Sequence, residues 1–230
     1  VLIHESDSIP GRVNKWAGHF AKKVAVSFKE AADYFPKKTV ALIGNPIRTE
    51  IEHPASNKEA LQYFKLETNL PVILVLGGSQ GAELINNTVL DALPRLIKNF
   101  QIIHQTGISN FKSVAERAQV VLASSQEKVR YQPFSFLNPL AMKMAAGVAT
   151  IIISRAGSTL FEIASWGVPS IITPITTSNG DHQRKNAFSY AHAGACNVIE
   201  EMNMTANILS SEIERIVNDK IILDRMAHSA

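Results

Sequence analysis

Residues 151–187, IIISRAGSTLFEIASWGVPSIITPITTSNGDHQRKNA, constrain the fold more than any other stretch of this chain. Ile151, Ile152 and Ile153 form a β-branched run long enough for a buried strand and too short for a helix. A turn follows at Ser154, Arg155, Ala156 and Gly157, after which Ser158 or Thr159 is placed to cap a helix running to about Trp166. Gly167 stands where a helix C′ residue needs positive φ, and Pro169 prevents continuation. Residues 170–173 read as the next strand and 183–193 as the next helix. The pattern is strand, loop, helix, strand, loop, helix, with polar side chains at the C-terminal ends of the strands. In an open α/β sheet that edge is where ligands bind.

The chemistry of this edge suits an oxygen-rich anion. The first turn of the helix after Ser158 offers unpaired N–H donors and a positive dipole end. Glu162 lies one turn in, and a carboxylate there can accept hydrogen bonds from vicinal ribose hydroxyls. Gln183 and Asn186 are three apart and share a helix face. Taken singly, each has a plainer reading: Ser158 as a cap, Glu162 as a solvated helix position, Asn186 as a local hydrogen bond. Their convergence on one sheet edge favours a site.

The same alternation extends over the rest of the chain. Strands are predicted at 1–4, 23–27 and 39–43, then at 72–76, 101–104, 129–134, 150–153, 170–173 and 196–199. Helices are predicted at 12–22, 29–34, 83–97, 110–118, 139–146, 158–166 and 183–193, and the polar residues 48–57 read as a connection. Strands alternating with helices specify parallel sheets covered on both faces. A closed β/α barrel would alternate too, but the break at 44–57 favours two unequal units. In the helix at 12–22, Trp16 and Phe20 share a face and lysines surround them. A core stripe with a solvated basic rim is preferred there to a helix lying on a membrane. The net charge of +3 is too small to argue for nucleic acid. One cysteine, Cys196, excludes an internal disulfide and fits a reduced compartment. The opening at Val1 reads as a cut into a strand, and the close at Ala230 as a cut within a helical region.

A second glycine-rich turn, Gly77-Gly78-Ser79-Gln80-Gly81, follows the apolar run 72–76 and precedes a helix. Its glycines permit close backbone approach to a phosphate, although it is neither a GxGxxG nor a Walker loop. Arg48, near the connection, could clamp a diphosphate or make a surface salt bridge. HExxH, CxxC, the G-x-S-x-G elbow and Asp-x-Asp are all missing, so metal catalysis has no support.

The segments IHESDSIPGRVNKW, IGNPIR, LGGSQGAELIN, SRAGSTLFEIASWGVP, DHQRKNA and AGACNVIE together resemble the bacterial MurG-type family over nearly the whole chain. The resemblance implies an α/β GT-B fold, two Rossmann-like parallel-sheet domains with the first incomplete here. Residues 1–46 would be the C-terminal part of the acceptor-side domain, and 47–230 the UDP-sugar donor-binding domain. It implies an inverting transfer of N-acetylglucosamine from UDP-N-acetylglucosamine to an undecaprenyl-diphosphate-muramyl-pentapeptide lipid. By matched position, Asn14, Arg48 and Ser79 would contact the donor, Glu162 the ribose, and Gln183 the donor sugar. Ser158, Thr159 and Asn186 fall within donor-site motifs, and the uracil-contacting backbone falls near Phe136 or Leu137.

Two departures from the family pattern stand out. The stretch from Arg155 to Glu162 is one residue shorter, and the family's N-terminal glycine-rich loop with its histidine has no counterpart here. The resemblance therefore places the general base, much of the acceptor surface and the membrane contact upstream of Val1, so no catalytic residue is expected in this chain. It further implies work at the cytoplasmic face of the bacterial plasma membrane, with no metal, no cofactor and no nucleic acid. A GT-B epimerase acting on UDP-N-acetylglucosamine and a non-catalytic nucleotide-sugar-binding module are the alternatives.

Overall fold

Two open parallel sheets, not a closed barrel, organise the described residues, which are 1–77, 82–176 and 181–230 of this computed structural model. The first sheet holds β1 (Leu2–Glu5), β2 (Lys23–Val26) and β3 (Val40–Leu42) in the order β1-β2-β3. Between its first two strands lies α1 (Arg12–Ala17), and a 3₁₀ helix, Lys29–Tyr34, precedes β3. After α2 (Asn57–Phe64) the second unit runs β4 (Val72–Leu76), α3 (Glu83–Leu96), β5 (Gln101–Gln105), α4 (Phe111–Val121) and β6 (Tyr131–Phe134). It continues with α5 (Pro139–Val148), β7 (Ile151–Ser154), α6 (Thr159–Trp166), β8 (Ser170–Ile172) and α7 (His182–His192). It closes with β9 (Cys196–Val198), α8 (Ala206–Asn218) and α9 (Lys220–Ser229).

The second sheet has the order β6-β5-β4-β7-β8-β9, all parallel. Every residue of β4, β5 and β7 is buried, which is why these strands read as unbroken runs and not as alternating ones. The two faces nevertheless separate with period two. Ile73, Val75, Ile151 and Ile153 pack with Ile85, Val89 and Leu93 of α3 and Leu209, Ile213 and Ile216 of α8. Val72, Leu74, Leu76 and Ile152 pack on the other side with Ala141 and Ala145 of α5 and Leu160 and Ile163 of α6. Each Val, Ile or Leu among them, fully buried, contributes about 1.5–3 kcal/mol relative to exposure.

Four expectations need correction. Trp16 and Phe20 do not form a core stripe: α1 stops at Ala17, and the two rings are 68% and 72% exposed, stacked edge-on at 5.4 Å. Phe35 takes the core position instead, packing so close to Gly18 that a Cβ there would lie 2.5 Å from its ring, while Ala17 and Ala21 face the same small core. Residues 48–57 are not a bare connection. Ile51 is fully buried, its carbonyl accepts from Trp166 Nε1 at 2.7 Å, and Ser56 opens α2 with a reciprocal capping box to Glu59. The strand predicted from residue 129 begins at Tyr131, after a 3₁₀ turn at Gln126–Arg130. Finally, α8 was not foreseen, and α9 only as a helical region at the end of the chain; Thr205 and Asp219 cap them through side-chain hydrogen bonds. The positive φ expected at Gly167 is present, at 64°.

Candidate functional site

Counted from β4, the second sheet has strand order 3-2-1-4-5-6, so the direction of winding reverses between β4 and β7. The register pairs Leu76 with Ser154 at the C-terminal ends of those two strands. An open crevice of about 630 Å³ lies there, walled by Leu76 and Gly77, by Ala82, Glu83 and Leu84 at the start of α3, and by Ser154, Arg155, Gly157, Ser158 and Thr159 around the start of α6. Ile175, Gln183 and Glu201 complete it. Ala82 and Ser158 provide no side-chain cap for α3 and α6, and at the start of α6 the Leu160 and Phe161 N–H groups bond the Gly157 and Ser158 carbonyls at 3.1 Å each. Ser158 was expected as a cap; it sits in the αR region instead (φ −57°, ψ −24°) and its hydroxyl makes no capping bond.

Of the residues singled out from sequence, Ser158, Thr159 and Gln183 come together on the crevice wall. Gln183 Oε1 accepts from the Ile175 N–H at 3.2 Å, which fixes the amide. Glu162 lies one turn beyond Thr159 and is held by Arg48, with Nε to Oε1 at 2.9 Å and Nη2 to Oε2 at 3.3 Å. Of the two readings of Arg48, the salt bridge is the one seen: it pairs with Glu162 and is not among the residues that line the crevice. Asn14 lies on α1, against the first sheet, where its amide donates to Glu5 Oε2 at 2.9 Å and to the His4 carbonyl at 3.3 Å. Asn186 is buried behind the wall. Its Oδ1 accepts from Ser8 N at 2.8 Å and its Nδ2 donates to Asp7 Oδ1 at 2.8 Å, so it bridges the two sheets. The Leu137 N–H is taken by Gln105 Oε1, while Phe136 is exposed. Ser79 lies outside the described residues.

Sequence reading missed the crevice's own charged pair. Arg155, in the turn after β7, donates to the Thr173 carbonyl at 3.1 Å and pairs with Glu201 at 2.7 Å. Its Nε is buried without a partner. Glu201 also accepts from Thr176 N at 3.0 Å and Thr176 Oγ1 at 2.7 Å. Burial alone would raise the Glu201 carboxyl, but the bonds from Thr176 and Arg155 outweigh it and hold the group below the usual glutamate range. Arg155 stood in the SRAGSTLFE segment, but nothing in that local pattern showed that a residue 46 positions later would meet it. Among the described residues, no three His, Cys, Asp or Glu side chains assemble as a metal-ligand group. A second cavity, of about 500 Å³, lies between Asp33 and Tyr34 on one side and Arg184 and Phe188 on the other, without a strand end to supply it.

A six-stranded parallel sheet of this order, with a crevice at its switch point, defines a doubly wound Rossmann-type α/β protein. Residues 72–230 match the glycosyltransferase family 28 C-terminal domain, and the chain belongs to that family. A Pediococcus pentosaceus protein named UDP-N-acetylglucosamine–N-acetylmuramyl-(pentapeptide) pyrophosphoryl-undecaprenol N-acetylglucosamine transferase is 36% identical over 231 residues. The match takes in 100% of this chain and 62% of that relative. The crystal structure of Acinetobacter baumannii MurG superposes with TM-score 0.76 at 27% identity, covering 99% of this chain and 61% of that one. A Neisseria meningitidis UDP-GlcNAc 2-epimerase bound to UDP-GlcNAc superposes with TM-score 0.68 at 15% identity, over 98% of this chain and 64% of that one, a likeness of fold alone. The architecture is of the GT-B type. The chain spans about 62% of the length of the curated relatives it matches.

Proposed function

We propose that the crevice between β4 and β7 holds the nucleotide-sugar donor of a hexosaminyltransferase. In this reading the protein transfers N-acetylglucosamine from UDP-N-acetylglucosamine to an undecaprenyl-diphosphate-linked muramyl-pentapeptide, and residues 47–230 are its donor-binding domain. The observation that carries the proposal is the convergence of two uncapped helix starts on the switch point of the sheet. Those N–H groups are aimed where negative charge develops as the nucleoside diphosphate departs, which lowers the barrier to transfer. Arg155 is the cation beside them, a place the sequence had given to Arg48. Glu162, pre-oriented by Arg48, serves the ribose, and Gln183 serves the sugar. No metal is needed in this scheme, since backbone donors and Arg155 meet the leaving charge. The general base, the acceptor surface and the contact with the cytoplasmic face of the membrane are assigned to the part of its relatives' length that this chain does not span. Among the described residues no helix is long and apolar enough to cross a membrane.

The transferase reading is supported over an epimerase by 36% identity across the chain to proteins named as transferases, against 15% to the epimerase structure. The test is product analysis of the full-length protein with labelled UDP-N-acetylglucosamine and the lipid acceptor. Lipid-linked disaccharide is the expected product. Release of an epimerised sugar, or binding without turnover, would replace this reading with one of the other two.

A further inference from the structure

Behind the crevice runs a line of buried polar groups that the proposed chemistry does not use. His104 on β5 is fully buried, with Tyr131 OH 2.9 Å from Nδ1 and Asn86 Oδ1 2.9 Å from Nε2. Asn86 Nδ2 donates in turn to the Thr106 carbonyl at 3.0 Å. The line has one polarity. A carbonyl only accepts, so the amide NH₂ must face Thr106 and Oδ1 must face His104. Nε2 then carries the ring proton, and Nδ1 accepts from the Tyr131 hydroxyl. Burial pushes the imidazole down to about 3, so His104 stays neutral and the direction does not invert.

An apolar residue at position 104 would leave the buried Asn86 Oδ1 and the Tyr131 hydroxyl without their partner, so the three groups hold together as a unit. What the line adds is a fixed distance. Asn86 sits one turn into α3, and its own N–H bonds the Ala82 carbonyl at 2.8 Å. Its side chain therefore ties the helix start to the end of β5. Gly77 lies between them: a Cβ there would come within 2.9 Å of Ala82 N, while its N–H reaches the Gln105 carbonyl at 3.3 Å. There is no slack for α3 to slide.

We infer that Tyr131, His104 and Asn86 are positioning residues for the crevice, a buried line that sets where the N–H groups at the start of α3 point. This rests on reading the crevice as a nucleotide site. The test uses the whole 230-residue chain with His104→Leu, Tyr131→Phe and His104→Gln, at a temperature where circular dichroism shows each folded. Glutamine can accept from Tyr131 and donate to Asn86, so it restores the line without the ring. UDP affinity by calorimetry should fall roughly tenfold in His104→Leu, the scale of a small misplacement of binding groups. It should fall less in Tyr131→Phe and stay within about twofold of the parent in His104→Gln. The amide resonances of Ala82, Glu83 and Leu84 should shift in His104→Leu and return in His104→Gln. A His104→Leu chain that melts earlier yet keeps UDP affinity and these resonances overturns the inference, leaving the line a matter of stability alone. If the parent chain does not bind UDP, the nucleotide reading fails on its own account. The resonances then decide: movement at Ala82 to Leu84 exceeding that in α8 upholds the network, and equal movement overturns it.

Discussion

Glu162 is only 14% exposed at its side chain and accepts both of its close hydrogen bonds from one guanidinium. A ribose bound as proposed would approach the remaining lone pairs, with Arg48 holding the carboxylate still. Glu162→Ala is expected to weaken UDP binding by about 1.5–3 kcal/mol, the range for charge-assisted hydrogen bonds. Arg48→Ala should cost less, because Glu162 keeps its charge and loses only its orientation. Calorimetry on both variants checks the order; a larger loss for Arg48→Ala would return Arg48 to direct contact with the ligand. Glu201 supports a pH prediction. Its folded carboxyl is the stronger acid, so as pH falls the unfolded chain takes up this proton first and the native state loses stability. The contribution is fully present above the unfolded glutamate value and fades below it. Glu201→Gln should thus be less stable than the parent near pH 7, with the gap closing as denaturant melts are repeated down to about pH 3. A gap that widened toward acid would contradict the assigned sign. At this scale the sequence was legible where chemistry is local. SRAGSTLFE announced a helix start, and Ser158, Thr159 and Gln183 do reach the crevice. Long-range partners, such as Glu201 for Arg155 or Asp7 for Asn186, are set by the fold and leave no local mark.

Among the elements, buried strands were the most readable part of the chain, because unbroken β-branched runs have few other uses. The helix α2 carried its own signal in Ser56-Asn57-Lys58-Glu59, whose S-x-x-E spacing is the capping box the structure contains. That signal was passed over because the stretch around it is polar. Ser56→Ala should destabilise the chain by about 1 kcal/mol in thermal melts, a cost within the range for lost N-caps. The opposite error occurred in α1, where two aromatics four apart suggested a buried face. Spacing reports which side chains share a face, and only packing reports whether that face is covered. Because Phe35 already fills the core against Gly18, Trp16→Ser and Phe20→Ser should each change stability by less than about 0.5 kcal/mol. A buried stripe would lose about 3–5 kcal/mol on such truncation. Chemical denaturation of the two variants separates these outcomes directly.

The whole molecule turns on how the two sheets are joined, and α7 supplies much of that joint. His182, Asn186 and Ser189 fall at i, i+4 and i+7 on one helix face. They meet the Ile9 carbonyl at 3.1 Å, Asp7 and Ser8 at 2.8 Å each, and Glu30 at 2.8 Å. Phe161 of α6 adds an edge-on contact with Phe28 at 5.1 Å. The joint is polar apart from that pair of rings, whereas each face of the second sheet has its own apolar core. Phe28 is the one residue of the first unit packed against either core, so the second sheet has what it needs to fold alone. A chain cut to begin at residue 47 should therefore remain folded and bind UDP, since every described residue of the crevice is retained. Its stability should drop by about 1–3 kcal/mol, because Asn186 loses its hydrogen bonds to Asp7 and Ser8. Asn186→Leu in the shortened chain should recover part of that loss, while the same change in the 230-residue chain should destabilise it. Loss of UDP binding on shortening, with the fold intact by circular dichroism, would show that the first sheet supplies a donor contact and would give Asn14 back the role its motif suggested.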